Sequence, residues 1–157
     1  ALPLIAKLFP DAQILFALRD PRDVVLSCFR RRFQMNSAMY EFLTLERAAA
    51  YYDAVMRLAG RYREILPLRL REVRHEAVVA DFDREVGDVL TFAGLPWNPD
   101  VRRFAERARQ RARTPSDLQL TEGLKSDGLG QWRRFAPQMS SVRDLLDPWA
   151  QRFGYPI

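Results

Sequence analysis

Apolar and polar positions alternate along this chain in blocks of two kinds. Leu2 to Phe9 is apolar and helix-like, and Pro10-Asp11 ends it. Ala12 to Leu18 is an unbroken apolar run between turn signals, the pattern of a strand buried on both faces, as in a parallel sheet. Asp20 then offers an N-cap and Pro21 a first helical residue whose missing N–H costs nothing. On the helix that follows, Val24, Val25, Cys28 and Phe29 share one face and are expected in the core, while Ser27 and Arg31 lie together on a flank.

Gln34 to Phe42 has no clear period and reads as a loop or broken helix. Thr44 to Leu66 is the strongest amphipathic helix, with Leu45, Ala48, Ala49, Tyr52, Val55, Met56, Ala59, Tyr62 and Leu66 at helical spacing before Pro67. Leu68 to Arg74 alternates apolar and charged residues, a short second strand, with His75-Glu76 directly at its end. Helices are expected over Asp81–Leu95, stopped by Gly94 and Pro96, and over the basic Asp100–Arg113. Thr114 to Asp127 reads as an ordered loop, Gly128 to Phe135 as a tight turn into a short helix, and Ser140 to Phe153 as a closing amphipathic helix. Strands interleaved with helices argue α/β with a parallel sheet. Two strands make an incomplete sheet, so the expectation is a domain that lacks its N-terminal strands.

Composition narrows the class. The 157 residues are about one domain's worth, and 48% hydrophobic content suffices for a core. No apolar run approaches the roughly 20 residues of a membrane span, and no signal-peptide pattern opens the chain. One Cys and one His make a Cys/His zinc site implausible and rule out an intramolecular disulfide. The expectation is a cytoplasmic protein without a metal. The net charge of +5 is carried almost wholly by Arg, with Lys only at positions 7 and 125. Arg suits planar, bidentate recognition of phosphate.

The chemistry concentrates at Ile14–Phe33. Arg19 stands at the carboxyl end of the first strand, where ligands bind in open α/β sheets. Ser27 adds a hydroxyl and Arg31 a second cation, and each charge-assisted hydrogen bond to a phosphate would contribute roughly 1.5–3 kcal/mol. On spacing alone, a pairing of Arg19 with Asp20 or Asp23 explains the same residues. His75 could serve as a general base, but its place after a strand favours a cofactor-facing or merely hydrogen-bonded role. Cys28 reads as a small core residue.

The run Phe9–Ser27, FPDAQILFALRDPRDVVLS, resembles the 3′-phosphate-binding segment of sulfotransferases that use 3′-phosphoadenosine 5′-phosphosulfate (PAPS). In that family a strand ends in Arg, Asp/Asn-Pro follows, and a Ser stands eight residues after the Arg. Arg19 and Ser27 match, and Arg31 stands where tyrosylprotein sulfotransferases carry a further Arg. Val73–Asp81 resembles the family's Arg-Tyr-Glu-Asp-Leu segment, with His75 in place of a Tyr that contacts adenine. Gly94-Leu95-Pro96-Trp97 is also similar, as a helix stop with a buried Trp. Arg113–Leu120 resembles a Thr-x-Ser-x-x-Gln loop that passes along the nucleotide, which places Thr114, Ser116 and Gln119 there. Gly130-Gln131-Trp132-Arg133 resembles a late Gly-x-Trp-Lys/Arg element. One branch has a phosphate-contacting Lys where this chain has Gln131, so that contact is neutral here or passes to Lys125 or Arg133. Trp132 itself reads equally well as a core residue.

The resemblance, closest to bacterial sulfotransferases linked to tetratricopeptide (TPR) repeats and to tyrosylprotein sulfotransferases, implies a parallel-sheet sulfotransferase fold akin to P-loop nucleotide kinases. Residues 1–157 would form the C-terminal part of a single domain. It implies sulfonate transfer from PAPS to an acceptor hydroxyl or amine of a small molecule, glycan or peptide, with no metal and no membrane. Arg19, Ser27 and Arg31 would hold the 3′-phosphate, His75, Thr114, Ser116 and Gln119 would line the nucleotide, and Lys125 would close the site. No Lys-Ser/Gly-Gly-Thr phosphate loop is present. The catalytic residues are therefore expected upstream of Ala1, after a possible TPR region, and the chain alone is expected to be inactive. Two alternatives stand beside this: a basic nucleic-acid-binding module, suggested by the arginines of 102–113, and a nucleotide-kinase-like phosphate-binding domain.

Overall fold

The computed structural model of the chain describes residues 1–106, 123–124 and 126–157. In chain order its elements are α1 (Leu2–Leu8), β1 (Gln13–Leu18), α2 (Pro21–Arg30), α3 (Leu45–Ile65), β2 (Arg69–Arg74), α4 (His75–Ala80), α5 (Phe82–Phe92) and α6 (Ala136–Arg152). Single 3-10 turns lie at Met39–Leu43, Pro99–Arg103 and Gln131–Phe135. Among the described residues, no helix is long and apolar enough to cross a membrane.

The chain forms two compact units. The first comprises Ala1–Ile14, Leu18–Leu70 and Leu129–Ile157. Its core is a three-helix packing of α2, α3 and α6. Each helix contributes a stripe at helical spacing: Val25 and Leu26 from α2, Leu45, Ala48, Ala49 and Tyr52 from α3, and Met139, Val142, Leu146, Trp149 and Ala150 from α6. Thr44 caps α3, its hydroxyl accepting the Arg47 N–H at 3.3 Å. Across the helix pair, Trp149 donates from Nε1 to Asp53 Oδ1 at 2.8 Å. The stretch expected as a loop or broken helix contains the 3-10 turn, and the closing helix begins four residues earlier than its periodicity indicates, at Ala136.

The second unit comprises Leu15–Ala17 and Arg71–Gly128. It holds the paired segments of β1 and β2, neighbours in a two-stranded parallel sheet, followed by α4 and α5. Asp81 caps α5 through the Arg84 N–H. The helix stops at Phe92, where Gly94 takes a left-handed φ of 71° and the Leu95 N–H returns to the Leu90 carbonyl at 2.8 Å. The Phe82 and Phe104 rings stack at 5.6 Å.

Several sequence expectations are corrected. β1 is not buried on both faces: Leu15 is 51% exposed, because a two-stranded sheet leaves one side of the apolar run uncovered. The core face of α2 runs through Arg22, Val25 and Leu26, and Phe29 is 41% exposed. A buried arginine at the first position of that stripe disguises it in the sequence. Trp97 is not buried but 40% exposed, beside the Arg102 guanidinium. Of the helix expected over Asp100–Arg113, the described part opens as a 3-10 turn, and the rest lies outside the described residues.

Candidate functional site

The site is built where β1 gives way to α2. β1 ends at Leu18, Arg19 follows, and Asp20 caps α2 by accepting the Arg22 N–H at 2.9 Å. Pro21 at the first helical position fixes φ for the turn. Asp20 also grips the Arg22 side chain in a fork, with Nε to Oδ1 at 2.9 Å and Nη2 to Oδ2 at 2.8 Å. Arg22 is fully buried. Its Nη2 also donates to the Pro156 carbonyl at 2.7 Å, and Nη1 lies 3.5 Å from Asp147 Oδ1. The guanidinium stacks 4.0 Å from the centroid of the buried Trp132 ring.

Asp23, in the first turn of α2, reaches the Gly130–Trp132 turn. Its Oδ2 accepts the Gly130 N–H at 2.6 Å and its Oδ1 the Trp132 N–H at 2.9 Å. Burial pushes the Asp23 carboxyl above the usual carboxylate range, while these two N–H groups and the Arg19 charge pull it back down. Gly130 enters the turn at a left-handed φ of 66°.

Arg19, Ser27 and Arg31 all belong to this first unit and are all half-buried. Ser27 lies on α2, whereas Arg31 stands just past the helix, at its C-cap, with extended backbone (φ −88°, ψ 146°). Burial raises the pKa of the Cys28 thiol, and the charges of Arg31 and Arg19 both act to lower it. Both charges thus act on Cys28, the residue that follows Ser27 in sequence. This flank combines two cations with a hydroxyl, the donor set that an anionic phosphate takes.

The remaining expected site residues divide in two. His75 is half-buried in the second unit, directly after β2 as expected, and is the first residue of α4. Thr114, Ser116, Gln119 and Lys125 lie outside the described residues. At Gln131 the neighbouring cation is Arg30, whose Nη1 donates to Gln131 Oε1 at 3.3 Å. Arg133 instead stacks on Trp132, its guanidinium 5.1 Å from the ring centroid.

Sequence reasoning missed Arg22, Asp23 and Arg30. An Asp at the third helical position gives a weak signal, since it usually reaches back to its own N-cap. Here it turns to a segment over a hundred residues away, which no local pattern reveals.

A family model described as "Sulfotransferase family" matches residues 1–99, more than half of the chain and all of the β1–α2 junction. The chain belongs to the sulfotransferase family. Within this family, carbohydrate sulfotransferase 3 of Mus musculus is 26% identical over 174 residues, which covers 99% of this chain and 36% of the mouse protein. An uncharacterized protein of Aquifex aeolicus (strain VF5) is 22% identical over 154 residues, covering 98% of this chain and 20% of that protein. The sulfotransferase chain therefore spans about a third or less of the length of these relatives.

Proposed function

We propose that this chain is the C-terminal part of a sulfotransferase domain, with the P-loop-kinase-like fold of that family, which moves a sulfonate from PAPS to an acceptor hydroxyl or amine. In this reading Arg19, Ser27 and Arg31 hold the donor's 3′-phosphate. The observation that carries it is the placement of Arg19 at the carboxyl end of β1, Ser27 on α2 and Arg31 at the C-cap of that helix, all half-buried in one unit. His75, Thr114, Ser116 and Gln119 face the rest of the nucleotide, and Lys125 closes over it. No metal takes part. The contribution of this chain to the reaction is recognition of the nucleotide. The protein works in the cytoplasm. The mouse relative's name supports a carbohydrate as the acceptor.

The experiment is thermal unfolding with 3′,5′-adenosine bisphosphate or ATP. The reading expects the bisphosphate to stabilise the protein more than ATP does, and Arg19→Ala to abolish the difference. A larger shift with ATP would instead favour the nucleotide-kinase-like reading. An unchanged preference in Arg19→Ala would remove Arg19 from the site.

A further inference from the structure

Several exposed arginines of the described chain hold a carboxylate. Arg47 holds Glu41, Arg57 holds Asp53, Arg61 holds Glu64 and Arg103 holds Glu106, at N–O distances of 2.7–3.2 Å. One group differs. Around the C-terminal end of α2 and the Gln131–Phe135 turn, Arg30, Arg32, Arg133 and Arg134 are all exposed, and none holds a carboxylate among the described residues. Arg30 is instead fixed by neutral groups, the Gln131 amide oxygen and the Phe135 ring, whose centroid lies 5.0 Å from its guanidinium. Arg133 is held against the Trp132 ring. The arc thus presents four cations that hold no carboxylate among the described residues, two of them, Arg30 and Arg133, oriented by neighbouring rings. It lies in the same unit as Arg19, Ser27 and Arg31, where Arg31 stands between Arg30 and Arg32.

The reaction chemistry suggests the occupant. Sulfonate transfer forms one S–O bond to the acceptor oxygen, breaks the bridging S–O bond of the donor, and releases the hydroxyl proton. Each modified unit therefore leaves with a fixed negative charge. A chain acceptor that has been modified once presents sulfate groups beside its next reactive hydroxyl. Guanidinium forks match such oxyanions in pairs. The one aromatic ring that Arg30 covers is not free to stack a nucleic-acid base.

We propose that this arginine arc binds an acceptor chain that is already anionic, such as a partly sulfated polysaccharide, and so favours repeated modification of one chain. The inference rests on the sulfonate-transfer reading above. The test measures binding of the protein to immobilised dextran sulfate, unsulfated dextran and a short DNA duplex, with and without Arg32→Ser/Arg134→Ser, two exposed positions outside the nucleotide site. The expected result is salt-sensitive binding to dextran sulfate over both other probes, weakened on the order of tenfold at low salt in the double variant, with a shallower salt dependence. Equal binding by the double variant, equal binding to unsulfated dextran, or tighter binding to the duplex would overturn the proposal. Stabilisation by 3′,5′-adenosine bisphosphate is read separately on both proteins and is expected to be the same. Its absence in the wild type would sink the donor reading, whereas loss of arc-dependent dextran sulfate binding alone would sink this one.

Discussion

Within the first turn of α2 and its cap the chain buries three charges, Asp20, Arg22 and Asp23. The desolvation cost is offset because each charge meets several partners, and removing one leaves the others uncompensated. Arg22→Ala is therefore expected to cost about 3–5 kcal/mol of stability, read as a lower urea midpoint. Asp23 gives a pH signature. Its folded carboxyl titrates above the ordinary value of 3.8, so the native state holds the extra proton in the window opening there and extending upward. Stability contributed at this position falls as pH rises through that window. Asp23→Asn should flatten this part of the profile in urea titrations run across the acidic range, and an unchanged slope would show that Asp23 does not carry it. Asp20 and Pro21 were legible in the sequence because capping is local. Arg22 was not, because its partners Asp147 and Pro156 are reached only through the tertiary fold.

Among the elements, α3 was read almost residue for residue, since a capping Thr, a long apolar period and a closing Pro agree. Thr44→Ala should lower stability by about 1 kcal/mol, visible as a reduced melting temperature with unchanged helix content. β1 was found by its apolar run but its burial was misread: a run of apolar residues states what a strand prefers, not how many neighbours cover it. The face of α2 was misread for the reason that Arg22 occupies a core position. At the candidate site, the strand end before Arg19 and the place of Ser27 on the helix followed from the sequence pattern. Arg31 was expected on the helix and instead sits at its C-cap. That position keeps its charge near Cys28 while taking its backbone out of the helical register.

At the scale of the molecule, the sequence conveyed an Arg-rich α/β chain of the sulfotransferase family but not how its charge is distributed. Exposed arginines such as Arg47 and Arg57 pair with carboxylates, whereas Arg30, Arg32, Arg133 and Arg134 hold none among the described residues, so the net charge of +5 does not tell where the positive surface lies. Charge counts cannot separate these cases, because pairing depends on which helices meet. The central claim is that Arg19, Ser27 and Arg31 recognise a 3′-phosphate. Calorimetric titration of the protein with 3′,5′-adenosine bisphosphate and with 5′-adenosine monophosphate tests it most directly, since the two ligands differ only in that group. The account predicts that the bisphosphate binds at least about tenfold more tightly, as one lost charge-assisted hydrogen bond implies, and that Arg19→Ala brings the two affinities together. Equal affinities in the wild type would contradict it.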